Sequence, residues 1–340
     1  MTNVDSDSYF LLYANCIPVK GAARSLICDL QNRKYFYIPN SLYEILEDAK
    51  NNKLIDIYNH FCEDEQKIID EYIDYLIENN LGFIDNEPNL FPNMDLEWDE
   101  PSEVTNSVID IDESYVSEID YKTIFEELNH LNCKCVQLRS FNSISIDTLD
   151  FFLNNTLDSR IRDLRLVLKY DSGIEQTLDD ALLEKHKRIN QVIFFNAPDN
   201  YTKSIMGVQF IYMNCPELSL KDCGQICTGN FSINIKSFTE AIHYNSCLNR
   251  KVSLDIYGNI KNCPSQRESF GNIKNTSIRD AIKNQKFQSL WKVKKDDIKI
   301  CQVCEYRYIC TDCRIFIQDE NDQLSKPSKC TYDPYTTRWL

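Results

Sequence analysis

The stretch that decides how this chain is read is Cys301-Gln-Val-Cys304-Glu-Tyr-Arg-Tyr-Ile-Cys310-Thr-Asp-Cys313. Two Cys-x2-Cys pairs on tight turns let several thiolates converge on one soft metal centre. Working outward, Cys330 follows downstream and can close such a site, while Cys247, Gly258 and Cys263 precede it. Seven of the 15 cysteines thus fall in the 84 residues from Cys247 to Cys330. In a reducing compartment such clustering points to metal rather than to disulfides. Structural zinc needs four ligands, and seven cysteines exceed one zinc site and fall one short of two.

Composition sets the outer bounds. A chain of 340 residues with 43% hydrophobic and 11% aromatic residues can fill the cores of two or three domains. No apolar run approaches the roughly 18 residues of a membrane helix, and Met1–Asp7 is polar where a signal peptide would be basic and then apolar. A cytoplasmic protein with no membrane partner is expected. The net charge of −15 argues against nucleic acid, whose phosphates need a positive surface. That charge is unevenly spread. From Cys247 to Leu340 there are 17 Lys and Arg against 11 Asp and Glu, leaving 20 against 41 for residues 1–246. Cations gathered around the cysteine-rich stretch suit anionic thiolate-bound centres.

The first 88 residues read as strands at Tyr9–Ala14, Ser25–Leu30 and Tyr35–Ile38, followed by helices. Ser41 with Glu44 has the pattern of a capping box, and Glu65–Asn80 places Ile68, Ile69, Tyr72, Ile73, Leu76 and Ile77 at helical spacing. Leu81–Ile84 then reads as a wing strand, which makes the whole a small winged helix. Its last helix carries Asp64, Glu65, Asp70, Glu71, Asp74 and Glu78 against Lys67, so DNA is repelled and peptide is the better ligand. A free strand edge in such a fold can accept an extended peptide main chain to main chain. Cys16, Cys28 and Cys62, each in an apolar context, read as buried small hydrophobes.

Residues 89–106 form an acidic, proline-bearing linker. From 107 to 240 strands and helices alternate. The strands are expected at Val108–Ile111, Cys135–Leu138, Leu164–Lys169, Val192–Phe195 and Val208–Tyr212, the helices at Tyr121–Leu131, Ile146–Leu157 and Leu178–Lys187. Repeated strand–helix units imply a parallel sheet or a partial (β/α) barrel. The fold class is therefore multidomain α/β, ending in a cysteine-rich domain at 241–340.

The N-terminal segment, through Tyr9-Phe-Leu-Leu-Tyr-Ala-Asn-Cys-Ile-Pro-Val-Lys-Gly21 and Lys34-Tyr-Phe-Tyr-Ile-Pro-Asn-Ser-Leu-Tyr43, resembles the RiPP recognition element, the leader-binding domain of enzymes that modify ribosomally made peptides. The cysteine framework, with a glycine inside the first pair and a lone last cysteine, resembles the SPASM domain, which carries auxiliary [4Fe–4S] clusters in many radical-SAM peptide-modifying enzymes. This resemblance implies two clusters, one on Cys301, Cys304, Cys310 and Cys330, the other on Cys247, Cys263 and Cys313. Cys223 is preferred as the remaining ligand, with Cys227, His243 or a peptide group as alternatives. The gap Cys310–Cys313 is one residue shorter than the family's usual spacing, which puts the reach of Cys313 in question.

The radical-SAM signature itself is missing. The loop after Val108–Ile111 reads Asp112-Glu-Ser-Tyr-Val-Ser-Glu-Ile-Asp120, with no CxxxCxxC, and Gln137-Leu-Arg-Ser-Phe-Asn-Ser143 stands where a Gly-Gly-Glu stretch would be. S-adenosylmethionine is not expected. Nearly end to end, with Cys223-Gly-Gln-Ile226, Gly229-Asn-Phe-Ser-Ile-Asn234, Asn245-Ser-Cys-Leu-Asn-Arg-Lys251, Gly258-Asn-Ile-Lys-Asn-Cys-Pro264 and Cys330-Thr-Tyr-Asp-Pro-Tyr335, the chain resembles the SPASM-domain maturase of grasp-with-spasm systems, in which the partners are a precursor peptide and an ATP-grasp ligase. The resemblance implies a degenerate radical-SAM-like barrel used as scaffold. Two other readings stand beside it: a radical-SAM maturase with an unrecognised cofactor site, and a zinc-stabilised peptide-binding adaptor.

Overall fold

The computed structural model describes residues 7–340. The N-terminal part begins with β1 (Tyr9–Leu12), β2 (Cys16–Val19), β3 (Ser25–Asp29) and β4 (Lys34–Ile38). Helices α1 (Asn40–Ala49), α2 (Leu54–Tyr58) and α3 (Glu63–Glu78) follow, then β5 (Gly82–Asp85). Strands β2, β3 and β4 form an antiparallel sheet with β3 at its centre, while β1 pairs with β5. Because β3 is buried on both faces, its residues split between two cores: Ile27 packs with Leu42, Ile69, Ile73 and Leu76, whereas Leu26 and Cys28 pack with Phe238, Tyr306, Ile309 and Tyr332. The second core welds this region to the C-terminal one.

Ser41 is not a helix cap. Asn40 is already helical, and the Ser41 hydroxyl meets the Tyr72 hydroxyl at 2.9 Å. Cys62 is exposed rather than buried, because it stands just before α3, where the Glu65 carboxylate accepts its N–H at 3.0 Å.

The central sheet begins with β6 (Asn106–Asp110), α4 (Tyr121–His130), β7 (Cys135–Arg139), α5 (Ile146–Asn155) and β8 (Asp163–Lys169). The helix expected near Leu178–Lys187 is two short ones, α6 (Ser172–Thr177) and α7 (Asp180–Lys185), each started by its own aspartate cap, Asp171 and Asp179. Strands β9 (Ile189–Phe195), β10 (Tyr201–Ile205) and β11 (Val208–Met213), then α8 (Ile235–His243), lead to β12 (Lys251–Leu254) and β13 (Ile260–Lys261). The eight strands lie in the order β10-β11-β9-β8-β7-β6-β12-β13, with all pairs parallel except those made by the outermost β10 and β13. The sheet does not stop at residue 240, since β12 continues it beside β6.

Alternate residues face alternate sides. Ile109, Val136, Leu138, Leu166, Val192, Phe194, Phe210 and Val252 share one core with Ile124, Leu128, Phe152 and Leu153 of the helices. The opposite face carries, in register across four strands, Gln137, Arg165, Gln191 and Gln209. Among the described residues no helix is long and apolar enough to cross a membrane.

Candidate metal centre

The C-terminal cysteines act on one another in two sets, Cys301, Cys304, Cys310 and Cys330 in one and Cys223, Cys247, Cys263 and Cys313 in the other. The first is built on the loop Cys301–Cys313. Ile300 sits at φ +68°, a left-handed conformation that a β-branched side chain resists, and so turns the chain sharply into Cys301. Backbone bonds from Cys304 N to Cys301 O (3.0 Å) and from Cys310 N to Tyr306 O (2.9 Å) fold the loop back on itself. Cys330 arrives from the far end of the chain. Burial pushes the Cys310 thiol up to about 12, Lys295 opposes this, and the neighbouring Cys330 and Cys301 add to it. Burial likewise raises Cys304, which also feels Cys310 and Cys301. Thiols so far above neutral are protonated unless something positive binds them.

The second set lies at the β12–β13 edge of the sheet. Asn245 Oδ1 accepts the N–H groups of Cys247 (3.1 Å) and Leu248 (2.9 Å), fixing the approach to β12. A turn then reverses the chain at Gly258, whose φ of +79° and close neighbour Ile273 leave no room for a side chain, and β13 delivers Cys263. Cys223 comes from a separate loop, with Sγ 3.3 Å from the Ser265 hydroxyl. The Cys223 thiol stands 3.0 Å from the Leu220 carbonyl, and the neighbouring Cys263 and Cys223 shift each other in opposite directions, Cys223 below the ordinary thiol value and Cys263 above it. Gly224, also at positive φ, brings the backbone against Cys313: a Cβ there would stand 3.1 Å from Cys313 Sγ. Cys313 in turn feels the charge of Cys247, after the larger effects of burial and of the Phe316 N–H. Despite the short gap after Cys310, Cys313 faces this second set. Cys227 is exposed, and His243 is turned away, its Nε2 3.0 Å from the Leu96 carbonyl.

Among the described residues no three Cys, His, Asp or Glu side chains stand close enough together to hold a single metal ion. A zinc ion at about 2.3 Å from each sulfur needs its thiolates about 3.8 Å apart. An iron–sulfur cube binds each thiolate at a different corner and so takes a wider spacing.

Between the two sets lies a buried polar hub that the sequence reading missed. Asp312, fully buried between Cys310 and Cys313, receives Asn245 Nδ2 at 2.6 Å and stands 2.7 Å from Arg314 Nε and 3.2 Å from Lys295 Nζ. Lys295 Nζ is also 4.0 Å from Cys301 Sγ. Two buried cations therefore face one buried carboxylate. Burial works against the Lys295 charge, yet Asp312 and the sulfurs of Cys310 and Cys301 hold its pKa above the usual value. At the second set the half-buried Lys251 loses charge stabilisation to desolvation but is held up overall by Cys247, Cys263 and Cys223. A surplus of buried positive charge requires an anion nearby. A metal centre with four thiolates is such an anion, so the donor sets and their surroundings fit it.

The loops at the C-terminal ends of β6 and β7 are occupied by a different network. Arg139 makes a two-pronged pair with Asp110 at 2.7 and 3.0 Å, with both side chains buried. Asp112 takes Asn142 Nδ2 at 2.6 Å, and Glu113 takes the Ser145 N–H and hydroxyl and the Thr148 hydroxyl. The carboxylates of the first loop thus cap and tie the second.

The N-terminal region also reaches the first cysteine set. Arg24 Nε donates to Glu305 at 2.8 Å and Nη2 to the hydroxyls of Tyr306 (3.0 Å) and Tyr332 (3.3 Å), while its guanidinium lies 3.7 Å over the Tyr37 ring. Glu305 follows Cys304 directly, and Tyr332 lies two residues after Cys330.

No curated protein matches the chain. The crystal structure of Streptococcus suis SuiB bound to precursor peptide SuiA aligns over 96% of this chain and 99% of that one, at 10% identity and a TM-score of 0.32. Residues 246–305, which hold Cys247, Cys263, Cys301 and Cys304, match the family described as SPASM, an iron–sulfur cluster-binding domain.

Proposed function

We propose that the chain is an iron–sulfur protein that binds a ribosomally made precursor peptide and takes part in its maturation with a partner ATP-grasp ligase, without radical-SAM chemistry. The division proposed is a winged-helix peptide-recognition domain at 1–88, a linker at 89–106, a degenerate radical-SAM-like partial barrel at 107–240 and the SPASM domain at 241–340, whose strands β12 and β13 extend the barrel's sheet. One [4Fe–4S] cluster would be held by Cys301, Cys304, Cys310 and Cys330, the other by Cys223, Cys247, Cys263 and Cys313. The observation that supports this reading is that Cys310 feels Cys301 and Cys330, and Cys263 feels Cys223 and Cys247, in a chain whose residues 246–305 match a cluster-binding domain. When bound, such clusters supply one-electron or Lewis-acid chemistry, and the protein's own share is to hold the thiolates ionised and to place a peptide beside them.

For the peptide, β4 ends the three-stranded sheet, so one of its edges is available for an added strand, and α3 beside it presents Asp64, Glu71, Asp74 and Glu78 to solvent. The Arg24 junction would set that edge at a fixed position relative to the first cysteine set. The missing CxxxCxxC and the Asp112–Asn142 and Glu113–Ser145 ties argue against a third cluster at the mouth of the sheet.

The test uses anaerobically reconstituted full-length protein. The precursor encoded beside its gene should bind and should lose affinity when Phe36→Pro interrupts β4, and added S-adenosylmethionine with dithionite should yield no 5′-deoxyadenosine. Formation of 5′-deoxyadenosine would establish the radical reading instead, and unchanged binding by the proline variant would remove the strand-edge site.

A further inference from the structure

The lysines beside the two cysteine sets, buried Lys295 and half-buried Lys251, carry an inference that rests on the proposed cluster assignment but goes beyond it. Each set has one lysine of its own. At the first, Lys295 is 4% exposed, with Nζ 4.0 Å from Cys301 Sγ, and its share in Asp312 is divided with Arg314 and Asn245. The hub therefore leaves one positive charge unneutralised on the side of Cys301 and Cys310. At the second, Lys251 begins β12 two residues before Ser253, whose antiparallel partner Lys261 lies two residues before Cys263, and among the described residues Lys251 makes no ion pair; Cys247, Cys263 and Cys223 act on it. The nearby Arg139 is paired with Asp110.

We propose that these two lysines set the reduction potentials of the two centres separately, Lys295 acting on the centre of Cys301, Cys304, Cys310 and Cys330, and Lys251 on that of Cys223, Cys247, Cys263 and Cys313. A fixed positive charge favours the more negative, reduced form of whatever centre lies beside it. A unit charge 4.0 Å from a ligand sulfur in a water-poor interior biases that equilibrium by well over tenfold. The Asp312 carboxylate, 3.2 Å from Lys295 Nζ and next to Cys313 in sequence, opposes that charge toward the other centre. The two lysines are positioning residues, and removing either should mark one centre and spare the other.

The experiment uses the full chain, reconstituted anaerobically and assayed for iron, then titrated with dithionite, which gives one electron to each centre, while electron paramagnetic resonance follows the reduced signals. Lys295→Met should lower the potential of one centre by at least about tenfold in the reduced-to-oxidised ratio, equal to about 59 mV for a one-electron couple. Lys251→Met should do the same to the other. Lys295→Arg and Lys251→Arg, which keep the charge, should return each potential to the wild-type value. At unchanged iron content, the inference is overturned if neither Met variant moves a potential or if each moves both centres equally. If a Met variant loses iron, the neutral Lys295→Gln or Lys251→Gln decides: a lowered potential supports the charge as cause, and a wild-type one contradicts it. A wild-type protein that takes up no iron would instead refute the cluster assignment itself.

Discussion

Arg24→Met tests whether the N-terminal region and the first cysteine set are one mechanical unit. Methionine keeps most of the stem's length and packing but removes the guanidinium from Glu305, Tyr306, Tyr332 and the Tyr37 ring. Glu305 has a fully buried side chain, and its Oε2 already lacks a donor, so the variant leaves a buried carboxylate with the Tyr332 hydroxyl as its remaining partner. Breaking a buried pair from one side costs about 3–5 kcal/mol. Because the Arg24 side chain is 28% exposed, the lower end, about 3 kcal/mol, is the better figure. With an unfolding entropy of about 0.7 kcal/mol/K for 340 residues, this is a fall in Tm of about 4 °C. Scanning calorimetry of the wild type, Arg24→Met, Glu305→Gln and the double variant closes the cycle. The double variant removes the stranded charge and should recover at least about half of the loss, a coupling of about 1.5 kcal/mol or more. A drop below about 1 °C for Arg24→Met, or losses that simply add in the double variant, would refute the reasoning.

Two further substitutions probe the same architecture. Burial raises Glu240 to about 7, against the help of Asn249, Lys236 and Arg250. The folded state thus holds its proton more tightly than the unfolded chain, and stability contributed by this group is lost as pH rises from about 4.5 to about 7. Glu240→Gln keeps the Asn249 hydrogen bond and should flatten that part of the pH–stability curve, gaining up to about 3 kcal/mol at neutral pH; urea titrations at several pH values check it. Gly258→Ala forces a side chain into the left-handed region with its Cβ 2.9 Å from Ile273 Cγ2. It should cost about 1–3 kcal/mol and, by moving Cys263, halve the iron that the reconstituted protein retains. Full iron in a destabilised variant would separate the turn from the site.

Much of the α/β order was legible because hydrophobic runs repeat with period 2 or 3.6. The expected helix at Tyr121–Leu131 is observed at Tyr121–His130, and the strand at Leu164–Lys169 at Asp163–Lys169. Strand β2 escaped because Pro18 sits inside it; the proline is tolerated because β2 is an edge strand. The pairing of β12 with β6 has no local signal, since their sequence separation exceeds any turn or hairpin. The spacing of Cys301, Cys304 and Cys310 already implied convergence. The approach of Cys223 to Cys263 depends on where the sheet edge places two loops, and the Cys310–Cys313 spacing said nothing of the side to which Cys313 turns. Asp312, Lys295 and Arg314 read as ordinary charges in a basic segment, because burial, which makes them matter, is a property of the packed chain. The same holds for Arg24 and Glu305, which lie 281 residues apart in sequence.

The most direct test of the central claim is the iron, acid-labile sulfide and zinc content of the full-length protein purified without oxygen. Two [4Fe–4S] centres predict about eight irons and eight sulfides per chain, a brown protein and negligible zinc. Stoichiometric zinc in a colourless protein, with no sulfide, would contradict it.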